Sequence, residues 1–203
     1  MKKQLLLIIS LFLLGSCGRS PKKHYPVTAQ VGAARYHHLV RKAAKRYKIH
    51  PQLILAIIEV ESGFNPRVVG FQRGFGLMQV VPSTAGRDVF KHLKKRSDQP
   101  TRRYLFDPSN NIDVGTAYLH LLQTRYLSAI KHPTTQQYAI IAAYNGGHGN
   151  LFRFFSHSPK LAIQAINQLS PKQFYQQVVK KYHLPYTRDY LAKVVQAQKR
   201  YAG

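Results

Sequence analysis

A chain of 203 residues is long enough for one domain with a buried core, and 44% hydrophobic and 11% aromatic content, with Gly and Pro near ordinary usage, excludes a disordered or fibrous protein. Lysine and arginine number 31 against 7 aspartates and glutamates, a formal net charge of +24 with a pI near 10.4. Such a surface attracts polyanions (nucleic acid, anionic lipid headgroups or an acidic polymer outside the cell), and charge alone does not choose among them.

The N-terminus narrows the choice. "MKKQLLLIISLFLLGSC" opens with Lys2 and Lys3, runs apolar from Leu5 to Leu14, and closes on Gly15, Ser16 and Cys17. The run is too short for a stable membrane span and reads as a secretory signal over residues 1–16. Leu14-Gly15-Ser16-Cys17 resembles a bacterial lipobox. That resemblance implies cleavage before Cys17 and acylation of its thiol and new amino group. Cys17 is the only cysteine, so it has no disulfide partner within the chain and a thiolate zinc cluster is excluded. Export argues against nucleic acid as the partner of the positive charge. The lipidated cysteine and a polar tether occupy residues 17–34, and the tether, "GRSPKKHYPVTAQVGAA", shows no sustained periodicity. About 17 residues of flexible chain span roughly 20–25 Å, which holds the following domain, residues 35–203, near a membrane surface.

From Tyr36 onward helical signals dominate. Leu39, Val40, Ala43, Ala44 and Tyr47 fall on one stripe. Pro51 opens a second helix at its first turn. Gly76-Leu77-Met78-Gln79 lies in a glycine-rich bend, with a short strand or hairpin expected around Phe71–Met78. Pro82 restarts a helix with Val89 and Phe90 among its apolar positions. Asn110 or Asn111 is the expected cap of a long helix, whose first turn would hold Asp113, and Thr134 or Thr135 that of the next, which Gly146-Gly147 ends. Ser170-Pro-Lys-Gln173 has the form of a capping box, and a final helix is expected from about Arg188 to Tyr201. The expected fold is mainly α, with no alternating strand of any length and no internal repeat.

The only two glutamates, Glu59 and Glu61, close an almost wholly apolar run, "PQLILAIIEVES". A helix apolar all round is a buried one. Two helical residues apart means side chains about 200° apart, so the pair cannot face one cleft together. Glu61 stands in the last turn before Gly63, a candidate C-cap, and Pro66, which stops continuation. There it meets the negative end of the helix dipole on an apolar scaffold. Both disfavour ionisation and suit a general acid. Glu59 is better read as half of a structural ion pair with an arginine or lysine.

Four motifs in order extend this reading: "IEVESGFNP", "GFGLMQVVPSTAGRDVF", "IIAAYNGGHGN" and "YTRDYLAKV". Together they resemble the lysozyme-like lytic murein transglycosylases, nearest to the membrane-bound C type and the short endo-acting E type, over about Tyr36 to Gly203. The resemblance implies a lysozyme-like, mainly α domain in which Glu61 is the catalytic acid and base and Ser62 its neighbouring hydroxyl. It implies a glycan-binding loop of Gly76, Met78 and Gln79, with Met78 packing on sugar and Gln79 hydrogen-bonding it, while Leu77 belongs to the core. Tyr144 and Asn145 would face the reacting sugar, and Tyr190 would stand near the glutamate. The chain departs from the pattern at Gly70, where a serine is usual, and at Tyr186, where a glutamate is frequent.

The implied reaction needs one carboxyl. Glu61 would protonate the glycosidic oxygen between N-acetylmuramic acid and N-acetylglucosamine, with help from the substrate's N-acetyl group. It would then take the proton of the C6 hydroxyl as a 1,6-anhydro ring closes. Neither metal nor cofactor is called for. The partners expected are peptidoglycan glycan strands, a membrane through lipid at Cys17 and anionic lipid headgroups. Gly18 in place of aspartate points to the outer membrane, facing the periplasm. A goose-type lysozyme-like hydrolase, a non-catalytic murein-binding lipoprotein and a cationic lipoprotein binding lipid A or nucleic acid by charge are the competing readings.

Overall fold

A computed structural model describes residues 27–70 and 73–201. The segment read as a secretory signal and Cys17 lie outside them. Among the described residues ten α-helices follow in chain order: α1 Val27–Tyr47, α2 Pro51–Ser62, α3 Arg87–His92, α4 Arg102–Leu105, α5 Pro108–Leu121, α6 Pro133–Gly146, α7 His148–Phe155, α8 Pro159–Asn167, α9 Pro171–Lys181 and α10 Pro185–Arg200. Two π-helical turns interrupt the series, Pro82–Gly86 running into α3 and Leu122–Tyr126 continuing α5. Among the described residues there is no named strand. The expected hairpin reduces to isolated antiparallel bridges, Val69 with Phe75 and Phe75 with Val80. No described helix is long and apolar enough to cross a membrane.

The centre of the molecule is α2. Its residues from Leu53 to Ile58 are all buried, as an all-apolar run requires. It packs most extensively on α10 and also against α1, which in turn lies along α5. α10 further touches α6 and α9, so the last helix closes the bundle around the second. Val40, Ala43 and Ala44 of the α1 stripe are buried, with Leu39 and Tyr47 partly so.

Several boundaries differ from expectation, each for a physical reason. α1 begins at Val27, inside the stretch read as tether, so only the part before it can serve as one. Proline fixes the first helical position, so the cap is the residue before it. Asp107, not Asn110 or Asn111, caps α5, its Oδ1 accepting the Asn110 N–H at 2.9 Å. His132, not Thr134 or Thr135, caps α6. With α5 starting at Pro108, Asp113 lies beyond the first turn, where Arg46 (2.9 Å) and Lys94 (2.7 Å) pair with it and the Tyr47 hydroxyl donates to it at 3.0 Å. α10 likewise starts at Pro185, three residues before the expected Arg188. The Ser170–Gln173 capping box is formed in full.

Candidate active site

Glu61 occupies the last turn of α2. Gly63 ends that helix in the left-handed region (φ 55°, ψ 33°) and donates its N–H to Glu59 O at 3.0 Å. The two glutamates diverge as helical geometry demands. Glu59 turns to the end of α10, where the Arg200 guanidinium and the Tyr201 hydroxyl (2.6 Å) both donate to its carboxylate. Glu61 turns into a cleft of about 360 Å³ and forms no ion pair among the described residues. Burial raises its pKa from 4.5 to about 7, and the Tyr190 hydroxyl opposes part of that rise by favouring the carboxylate. Tyr190 is 6% exposed, and its hydroxyl meets no described partner at full hydrogen-bond geometry. It stands ready to donate when Glu61 is charged.

Gln79, Tyr144 and Asn145 line the same cleft, with Gly70, Gly74, Val81 and Tyr186. Gln79 adopts positive φ (47°), and its side-chain amide donates to Gly76 O at 2.7 Å and Val68 O at 3.2 Å. Both N–H groups are thus engaged in the loop, and the amide oxygen remains for a ligand. That oxygen fills the space of the missing side chain at Gly70, where a Cβ would lie 2.3 Å from it. The Tyr144 hydroxyl donates to Met78 O at 2.8 Å, tying α6 to the loop. Asn145 accepts the Thr187 hydroxyl proton at its Oδ1 (2.8 Å). Its NH₂ group makes no hydrogen bond to the described residues.

Three sequence-predicted residues stand behind the cleft wall. Met78 is fully buried, which corrects the expectation that it packs on sugar. Its side chain lies against Gly115, where an added Cβ would meet Sδ at 2.5 Å. Gly76 adopts φ 74° and presses on Asn111 Nδ2 and Leu105 O, each within 2.6 Å of where a Cβ would stand. The Ser62 hydroxyl faces Leu77 O at 2.8 Å and Ile58 O at 3.0 Å, so it fastens the loop to α2. Leu77 is core, as expected.

Sequence reasoning missed Asn111, Thr187 and the place of Tyr186. Asn111 is wholly buried. Its Oδ1 accepts Met78 N–H, and its Nδ2 donates to Phe75 O and Leu105 O, each at 2.7 Å. An asparagine near a helix start reads as a cap, and only the folded loop above it reveals an anchor. Tyr186 is 48% exposed at the cleft. Among the described residues no group of three or more His, Cys, Asp or Glu side chains lies close enough to hold a metal ion.

This arrangement can be set beside known proteins. Membrane-bound lytic murein transglycosylase C of Haemophilus influenzae (strain PittEE) is 47% identical over 172 residues, 85% of this chain and 48% of that protein. The protein of the same name from Pectobacterium atrosepticum is 51% identical over 169 residues, 83% of this chain and 47% of that protein. The chain thus spans about half the length of the curated relatives it matches. The 70-kDa soluble lytic transglycosylase of Escherichia coli shares the fold, with a TM-score of 0.61 at 24% identity over 82% of this chain and 24% of its own. A 70-kDa soluble lytic transglycosylase in complex with bulgecin A gives a TM-score of 0.63 at 22% identity, over 86% and 25%. The family description "Transglycosylase SLT domain" matches residues 38–167, which hold Glu61, the Gly76–Gln79 loop and the Tyr144-Asn145 pair, and by that match the chain belongs to the transglycosylase SLT family.

Proposed function

We propose that this chain cleaves the β-1,4 bond between N-acetylmuramic acid and N-acetylglucosamine of peptidoglycan without water, leaving 1,6-anhydro ends. The observation that carries the reading is a single carboxyl, raised to a pKa of about 7, in the cleft. None of the other six acidic residues lines it. A two-carboxylate hydrolase needs a second carboxyl about 5–9.5 Å away. Here Glu59 and Asp113 are engaged in ion pairs, Asp107 caps α5, Asp98 pairs with Arg96 and Asp88 with Tyr126, while Asp189, the sixth, stands on α10 outside the cleft lining. The relatives' name, membrane-bound lytic murein transglycosylase C, supports the substrate.

Glu61, near half protonated at neutral pH, gives its proton to the glycosidic oxygen. As a carboxylate beside Tyr190 Oη it then receives the C6 hydroxyl proton. Asn145 Nδ2 offers donors and Gln79 Oε1 an acceptor to the sugar, and Tyr186 offers an exposed ring on which it can lie. Cys17 carries the lipid that holds the chain at the cell envelope, on the periplasmic face of the outer membrane, and anionic headgroups meet the positive surface.

Digestion of purified sacculi tests the reaction. The expected products end in anhydro sugars, one water lighter than hydrolysed ends by mass spectrometry. Glu61→Gln is expected to abolish them while still folding, as judged by a cooperative melting transition. A folded, fully active Glu61→Gln protein, or hydrated ends from the parent, overturns the reading.

A further inference from the structure

Across Tyr144 the cleft adjoins a second concave pocket of about 500 Å³. The two share a wall. Asn145 and Val81 line the first, Gly147 and Ser83 the second, and the Tyr118 ring of the second lies 5.7 Å from the ring of Tyr144. Both π-helical turns converge here. The first contributes Ser83 and Thr84 to the lining. The second carries Tyr126, which stacks on His148 at 3.9 Å and donates its hydroxyl to Asp88 Oδ2 at 2.7 Å. Such turns are rare and occur often at functional sites.

The lining is cationic, with its one carboxylate already engaged. Asp88 faces Tyr126 and, at 3.5 Å, His92 Nε2. Burial lowers the pKa of His148 and Asp88 opposes that, so the ring is held neutral against Tyr126. Arg87, Lys91 and Arg153 stand exposed around the pocket, and none forms an ion pair among the described residues. Arg87 donates to Gln99 Oε1 at 2.8 Å and Arg153 to Asn150 Oδ1. These neutral partners orient the guanidinium groups without cancelling their charge. The Tyr118 hydroxyl makes no hydrogen bond to a described residue.

Two guanidinium forks, an ammonium group and a hydroxyl around a concavity select a carboxylate. Peptidoglycan carries carboxylates on the peptide stems of its muramyl sugars, beside the glycan that the cleft would hold. We propose that the pocket of Arg87, Lys91, Tyr118 and Arg153 is a carboxylate subsite that holds a muramyl peptide stem while the glycan lies across Glu61. It rests on the glycan-cleavage reading above and adds to it a preference for stem-bearing strands.

The test compares stem-bearing glycan strands with the same strands stripped of peptide by an amidase, using the full chain. The readout is the ratio of kcat/KM on the two substrates. In the triple variant Arg87→Gln, Lys91→Gln, Arg153→Gln the ratio is expected to fall about tenfold, through KM on stem-bearing strands. A charge-matched variant on the exposed face of α1 and its following turn, Lys42→Gln, Lys45→Gln, Lys48→Gln, is expected to keep the parent's ratio. All six side chains are exposed, so both variants are expected to keep the parent's melting transition. An unchanged ratio in an active pocket variant overturns the subsite alone. So does a variant that keeps the ratio and instead loses binding to phosphatidylglycerol vesicles, which would assign the charges to a membrane. A parent that cleaves neither substrate overturns the glycan-cleavage reading and the subsite with it.

Discussion

At a pKa of about 7, Glu61 binds its proton more tightly in the folded chain than in the unfolded one, where 4.5 applies. Between those values the native state holds the extra proton, so stability falls as pH rises. The loss is on the order of 3 kcal/mol once both states are ionised. Glu61→Gln removes that penalty. The variant is therefore expected to melt above the parent at pH 8, with the gap closing below about pH 4.5, where the parent carries the proton in both states. Parallel melting curves across this range would show that Glu61 is not desolvated. Glu59, two residues earlier, has the opposite fate. Its carboxylate accepts from Arg200 and Tyr201, so Glu59→Gln leaves a partly buried guanidinium short of its counter-charge. It is expected to cost roughly 1–3 kcal/mol in thermal or urea unfolding, with the anhydro product still formed. Loss of activity without loss of stability would reverse the two assignments. The kind of partner for Glu59 was legible, since an apolar helix does not bury a carboxylate alone. Its identity was not, because Arg200 lies 141 residues away.

Among the helical elements, proline is the most readable signal. Six α-helices and one π-turn open on it, at Pro51, Pro82, Pro108, Pro133, Pro159, Pro171 and Pro185. Applying the rule at Pro108 and Pro133 places the caps at Asp107 and His132 and frees Asn111 for its other task. The loop before the first π-turn is less readable, because its shape depends on contacts from three helices. Asn111 of α5 holds its backbone, Tyr144 of α6 holds Met78 O and Ser62 of α2 faces Leu77 O. Gly115 leaves room for Met78, and a methionine in a motif that resembles a sugar-binding loop proves to be core for that reason. Asn111→Ala removes three hydrogen bonds and leaves the buried Met78 N–H without an acceptor. It is expected to destabilise the fold by roughly 2–4 kcal/mol and to lower kcat, since the same loop positions Gln79 beside Glu61. Unchanged stability on unfolding in urea would mean that the helices hold the loop without Asn111.

At the scale of the whole molecule, the net charge of +24 bears on how the proposed substrate would be met. Among the described residues, Arg46, Lys94, Arg96 and Arg200 are the only lysines or arginines paired to a carboxylate, out of 31 in the chain. The rest of the surplus is spread over a surface whose attraction to anions acts through solvent. Solvent-mediated attraction is screened by salt, with a Debye length of roughly 10 Å at 0.1 M and roughly 3 Å at 1 M. Contacts that the proposed reading assigns to the cleft, at Asn145, Gln79 and Tyr186, act at short range away from bulk solvent and would change little over that range. Binding of the Glu61→Gln protein to sacculi, which reports association without turnover, separates the two contributions. Sedimentation with sacculi is expected to weaken about tenfold or more from 0.1 M to 1 M salt and then to level off at the affinity of the cleft itself. Binding that stays constant across the range would assign the whole affinity to the cleft and leave the net charge of +24 no part in holding peptidoglycan.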